Sequence, residues 1–161
     1  MRICTFCGHS KLSATYTEVK GALQSIVPRL MQEEGYDCFV GNYGQFDRLA
    51  ASVCLAQKQE HPFIRVCLVI PYYRPKLDSY EKEYHARFDD VIVPALEDVP
   101  YQYRIVRANE YMVDRAETVI AYVNTPIGGA AKTLAYAKRK KKRIFYLVNN
   151  TVNSNRDGSS K

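Results

Sequence analysis

Apolar positions along the chain alternate between two periods. Short β-branched and aromatic runs at Arg2–Phe6, Tyr36–Val40, Phe63–Ile70, Glu117–Val123 and Ile144–Val148 read as buried strands. Between them, apolar residues recur at helical spacing. Thr15–Glu34 carries Val19, Ala22, Leu23, Ile26 and Leu30 on one face, Pro28 is expected to kink or split that helix, and Gly35 ends it. A second helix carries Phe46, Leu49, Ala50, Val53 and Cys54, and a third carries Ile127, Ala130, Ala131, Leu134 and Ala135. A helix is also expected over Ser79–Phe88 and a short one over Ala108–Arg115. Val91–Val93 and Tyr101–Val106 both read as strands, and one of them is the fourth strand. The repeated strand–turn–helix order predicts an α/β, Rossmann-like three-layer domain with a mostly parallel sheet over residues 1–148. Residues 149–161 are small and polar and are expected to form a disordered tail.

Turn chemistry adds a candidate site. In a parallel sheet the turns that leave the strands' carboxyl ends gather at one edge, where open α/β sheets hold ligands. Three such turns are glycine-led: Gly8-His9 after the first strand, Gly41-Asn42-Tyr43-Gly44 running to Asp47 after the second, and Asn124-Thr125-Pro-Ile-Gly128-Gly129 after the strand ending at Val123. Helix starts attract anions because their first N–H groups lack intrahelical partners. Ala130 belongs to such a start, and Lys132 and Thr133 add a cation and a hydroxyl within the first turns. A phosphate-bearing ligand fits this arrangement. His9 is a candidate donor to phosphate or ribose, and Asp47 either caps its helix or accepts a ligand hydroxyl. The pattern is not a Walker loop, which would need glycine where the chain has Pro126 and Ala131. Tyr72, Tyr73 and Arg74 after the third strand are placed to stack on or clamp a base.

The charge narrows the partners. Of 161 residues, 23 are basic and 17 acidic, a net charge of +6. Lys138-Arg-Lys-Lys-Lys-Arg143 accounts for the whole excess. It ends a helix at the edge opposite the glycine turns, so it reads as a solvated cap on the negative end of the helix dipole ahead of a nucleic-acid patch. Five cysteines cannot all pair; reduced, buried thiols are expected. Cys4-Thr-Phe-Cys7 with His9 lacks a fourth ligand at usable spacing, so no metal and no cofactor are expected. No apolar run approaches a membrane span, and a cytoplasmic protein is expected.

With these pieces placed, the chain resembles the SLOG superfamily of Rossmann-like domains, which includes the Lonely Guy phosphoribohydrolases, the DprA recombination mediators and the YpsA-type DUF1273 proteins; the likeness is nearest to the last. It rests on Gly8-His9, on Gly41 to Asp47, on the run Asn109-Glu-Tyr-Met-Val-Asp-Arg-Ala116, and on Gly128-Gly129-Ala-Ala-Lys-Thr133. The resemblance implies a crevice for nucleotides or their derivatives, a homodimer, and Asn109, Asp114 and Arg115 as site or site-supporting residues. Lonely Guy enzymes use P-G-G-x-G-T-x-x-E. Aligned on the glycine pair, this chain has Ile127, Ala131, Lys132 and Ala135 at the Pro, third Gly, Thr and Glu. The general acid/base is missing there. The sequence reading is therefore a sensor or sequestering protein for a nucleotide-derived small molecule. The alternatives are an N-glycosidase using Asp47, Glu81, Glu110 or Asp114, and a DprA-like nucleic-acid binder using Lys138–Arg143.

Overall fold

A computed structural model describes residues 2–34, 36–71, 83, 84, 86–148 and 151–153. Seven strands form one sheet: β1 Arg2–Gly8, β2 Tyr36–Val40, β3 Val66–Val69, β4 Asp90–Ile92, β5 Thr118–Tyr122, β6 Arg143–Val148 and β7 Thr151–Asn153. Their order is β4-β3-β2-β1-β5-β6-β7; β1 to β6 are parallel, and β7 pairs antiparallel with β6. The chain winds outward from β1 in both directions, so the order reverses between β1 and β5.

Helices α1 Tyr16–Glu34 and α2 Gln45–Glu60 cover one face of the sheet, and α3 Arg104–Arg115 and α4 Gly129–Arg139 the other. Strand alternation supplies both cores. Phe6, Ile120 and Tyr122 point toward α1 and α2, while Cys7, Val119 and Ala121 point toward α3 and α4. Cys4 and Cys7, three residues apart on β1, therefore lie in different cores and do not form a chelating pair. All five cysteines are buried free thiols.

The structure departs from the sequence pattern at several elements and decides one that the pattern leaves open. Pro28 does not split α1, because Val27, Leu30 and Met31 on either side of it are buried, and their burial offsets the roughly 3 kcal/mol a helical proline costs. β3 is shorter than expected: Phe63 sits in a turn before it and is 68% exposed. The fourth strand is Asp90–Ile92. Tyr101–Tyr103 is a 3-10 turn that leads into α3, with Tyr101 and Tyr103 exposed. Arg104 fixes that start by donating from Nε to the Val99 carbonyl at 2.9 Å, and α3 begins at 104 rather than 108. α4 starts only at Gly129, because Gly128 at φ 101° is not helical. Ile127 is thus outside the helix and 77% exposed, and the inward stripe is Thr133, Leu134 and Ala137, with Ala135 turned outward. Finally, Thr151–Asn153, assigned to the polar tail, joins the sheet. Half of the helix expected over Ser79–Phe88 lies outside the described residues, as do Tyr72, Tyr73, Arg74, Glu81 and 154–161.

Candidate functional site

A cavity of about 520 Å³ opens where the strand order reverses. Its floor is the end of β1, from Phe6 to Gly8, with Tyr122 at the end of β5. The loop from His9 to Ser13 forms one wall, Asn124, Thr125 and the start of α4 form the opposite one, and Tyr43, Asp47, Ile105 and Asn109 close the rest. The open-sheet rule places a ligand in this crevice.

The loop after β1 is fastened to the start of α2. Gln45 N–H donates to the Ser10 carbonyl at 2.8 Å, and Leu12 N–H donates to Gln45 Oε1 at 2.6 Å. Gly44, at φ 99°, permits this: a Cβ there would stand 2.6 Å from Ser10 Cα. His9 Nε2 accepts the Asn124 N–H at 2.9 Å, joining the loop to the end of β5. With that nitrogen accepting, the neutral ring carries its proton on Nδ1.

Asp47 lies in the first turn of α2, and its Oδ2 accepts the Tyr43 N–H at 3.0 Å. Burial pushes its carboxyl up to about 7, against the downward pull of that N–H and of Arg48. Cys7 donates its thiol to the Ala130 carbonyl at 3.1 Å. Burial, with a smaller contribution from the Asp47 charge, pushes that thiol up to about 12, so it stays protonated and inert at neutral pH. On α4, Thr133 Oγ1 donates to the Gly129 carbonyl at 3.0 Å. No cluster of three His, Cys, Asp or Glu able to hold a metal occurs among the described residues.

The glycines divide into two kinds. A Cβ at Gly8 would meet the Phe46 ring at 2.3 Å, and one at Gly41 would meet Asp47 Oδ2 at 2.8 Å. Together with Gly44, these make room for the protein's own atoms. At Gly128 and Gly129 a Cβ would meet no described atom within 4 Å. Their bare backbone faces open space at the rim of the cavity.

Of the residues singled out from sequence, the cavity gathers Gly8, His9, Asp47, Asn109, Thr125, Gly128, Gly129, Ala130 and Thr133. Gly41 and Gly44 stand behind it as packing positions, Asn42 Nδ2 reaches Tyr84 Oη at 3.4 Å instead, and Lys132 is exposed on α4 outside the lining. Asp114 and Arg115 lie apart from the cavity, ending α3 at the amino edge of the sheet. There Asp114 accepts the Tyr136 hydroxyl at 2.7 Å, and the Arg115 guanidinium lies 3.6 Å over the Tyr111 ring. Glu110 pairs with Arg107 at 3.8 Å. Lining residues the sequence reading missed include Ser10, Lys11, Tyr43, Ile105, Tyr122 and Asn124. Asn124 and Tyr43 sat inside turns already marked as ligand-facing; nothing in the local pattern marked Ile105.

No family model and no curated protein matches the chain. Solved structures do. DNA processing protein A from Helicobacter pylori, a single-stranded DNA binder, superposes with a TM-score of 0.65 at 13% identity, covering 90% of this chain and 64% of that one. DNA processing protein A from Streptococcus pneumoniae gives 0.62 at 14% identity, covering 90% and 49%. The chain thus spans about half to two thirds of these neighbours. The molybdenum cofactor carrier protein from Chlamydomonas reinhardtii gives 0.55 at 13% identity, covering 91% and 76%. Likeness at this identity is likeness of fold alone.

Proposed function

We propose that the cavity binds a nucleotide or a nucleotide-derived small molecule, with its phosphate at the start of α4, and that the protein senses or sequesters that ligand. The contrast among the glycines carries the reading: Gly128 and Gly129 leave open space beside the cavity, whereas Gly8, Gly41 and Gly44 are filled by protein. Backbone N–H groups at the first turn of α4 can then approach an anion without a side chain intervening. His9 Nδ1–H and Lys11 are the donors on the facing wall. A homodimer and the YpsA/DUF1273 branch belong to the same reading and rest on the sequence resemblance; a cytoplasmic location belongs to it too and rests on the sequence having no apolar run near the length of a membrane span. A thermal-shift screen over mono-, di- and cyclic nucleotides and ADP-ribose derivatives, with mass spectrometry of copurifying ligand, tests it. Stabilisation by one class supports the reading, and none across the set overturns it.

One observation favours a second reading, an N-glycosidase. Asp47 is the one carboxylate among the described lining residues, and burial holds it near neutrality, where a general acid/base works best. Release of free base from a bound nucleotide distinguishes the two.

A further inference from the structure

The basic run occupies the amino edge of the sheet, away from the cavity, and the structure shows a device in it that a helix cap does not explain. α4 ends in a Schellman turn: Lys141 N–H donates to the Lys138 carbonyl at 3.0 Å, and Lys142 N–H donates to the Ala137 carbonyl at 3.1 Å. The residue at the centre of such a turn is left-handed, and glycine is its usual occupant because a Cβ there crowds the following carbonyl. Here it is Lys141, at φ 58°. The chain keeps a cation at a position where glycine would cost less.

The surrounding charge is not neutralised. Lys140 is 3.8 Å from Asp114, and Glu117 is matched by Arg2. Lys138, Arg139, Lys141 and Lys142 make no ion pair with a described carboxylate. Complementing the helix dipole takes only the cations of the last turn, Lys138 and Arg139, yet the run continues beyond them. None of the exposed large apolar side chains comes from α4, this turn or β6, so the face lacks the apolar anchors of a membrane-binding surface. The Tyr136 ring is already covered by Arg139 and Lys140, each 5.4 Å away, which favours contact with a backbone over base stacking. We propose that this edge binds nucleic acid through its phosphate backbone, without sequence preference and independently of the cavity.

The test is fluorescence anisotropy of the full chain with a labelled single strand of about 25 nucleotides and the matching duplex, from about 50 to 200 mM salt. Affinity is expected to fall linearly with salt on logarithmic axes. Lys141→Gly should make the single-strand slope shallower by about 0.7 and lower affinity roughly fivefold near 0.1 M salt. The same substitution should raise the melting temperature by about 2–4 °C, since it relieves the left-handed lysine. Its loss of binding therefore cannot come from unfolding. Replacing Lys138, Arg139 and Lys142 together by Ser should remove binding at physiological salt. Absence of binding at about 50 mM salt, slopes unchanged in both variants, or binding to phosphatidylserine vesicles without binding to nucleic acid would each overturn the proposal.

Discussion

Asp47 Oδ2 accepts the Tyr43 N–H at 3.0 Å, reaching back from the first turn of α2 to the second residue before its start. That bond is a modest replacement for water, and burial dominates: the carboxyl moves from an ordinary 3.8 to about 7. The folded state holds the proton more tightly than the unfolded one, so the stability from this group is complete below about pH 4 and is lost as pH rises toward 7. Asp47→Asn keeps the acceptor and removes the charge. Its gain in stability over the parent should grow between about pH 4 and 7 and level off above, reaching at most ~4 kcal/mol. Thermal denaturation across that range checks this, and a gain independent of pH would show that Asp47 ionises normally.

The two kinds of glycine separate folding from binding. Gly8→Ala drives a Cβ into the buried Phe46 ring and should destabilise the fold by about 1–3 kcal/mol. Gly129→Asp meets no described atom, and it puts a carboxylate in the first turn of α4, where the helix dipole favours it. It should leave stability unchanged or slightly raised while abolishing binding of an anionic ligand. Melting curves with and without the tightest nucleotide from the screen read both effects at once.

At the amino edge, Tyr136 donates to Asp114, and that bond is the main reason its hydroxyl is pushed up to about 12. The bond is exposed, so Tyr136→Phe should cost only about 0.5–1 kcal/mol. Asp114→Asn, and neutralising Lys140, Lys141 and Lys142 together, should likewise leave small-ligand affinity in the cavity unchanged. A tenfold loss in titration calorimetry, about 1.4 kcal/mol, would mean that this edge reaches the site.

The sequence carried the fold where periodicity and turn chemistry agreed. β2 is readable to the residue, because Tyr36–Val40 is aromatic or apolar except at Asp37 and is followed by glycine, and the buried face of α2 matches its predicted stripe. Tyr101–Val106 misled because alternating Tyr, Gln and Tyr imitates a half-buried strand, while the contacts that make it a helix start come from Arg104 to carbonyls five and seven residues back. Ile127 misled because apolar spacing is blind to Gly128, whose positive φ delays the helix by two residues. Asp114 and Arg115 were placed in the site by resemblance alone; their position depends on which end of α3 meets the crevice, a matter of topology. Ile105 enters the lining for the same reason, from the other end of that helix.

Whether the cavity performs chemistry turns on how many groups could move a proton there. The Cys7 thiol, at about 12, is no nucleophile at neutral pH. Positions 133–137 of α4 hold Thr133, Leu134, Ala135, Tyr136 and Ala137, so shifting the alignment to the Lonely Guy motif by a residue or two in either direction brings no carboxylate into play. Among the described lining residues Asp47 is the single carboxyl, and glycosidic cleavage by carboxylates ordinarily employs a pair. Binding without turnover is therefore the expected outcome when purified protein is incubated with its tightest nucleotide and free base is followed by chromatography. Asp47→Asn should then change affinity and its pH dependence, with no rate to lose. Base release that disappears in Asp47→Asn, while the variant still binds and melts as expected, would make Asp47 the general acid/base and the protein a glycosidase.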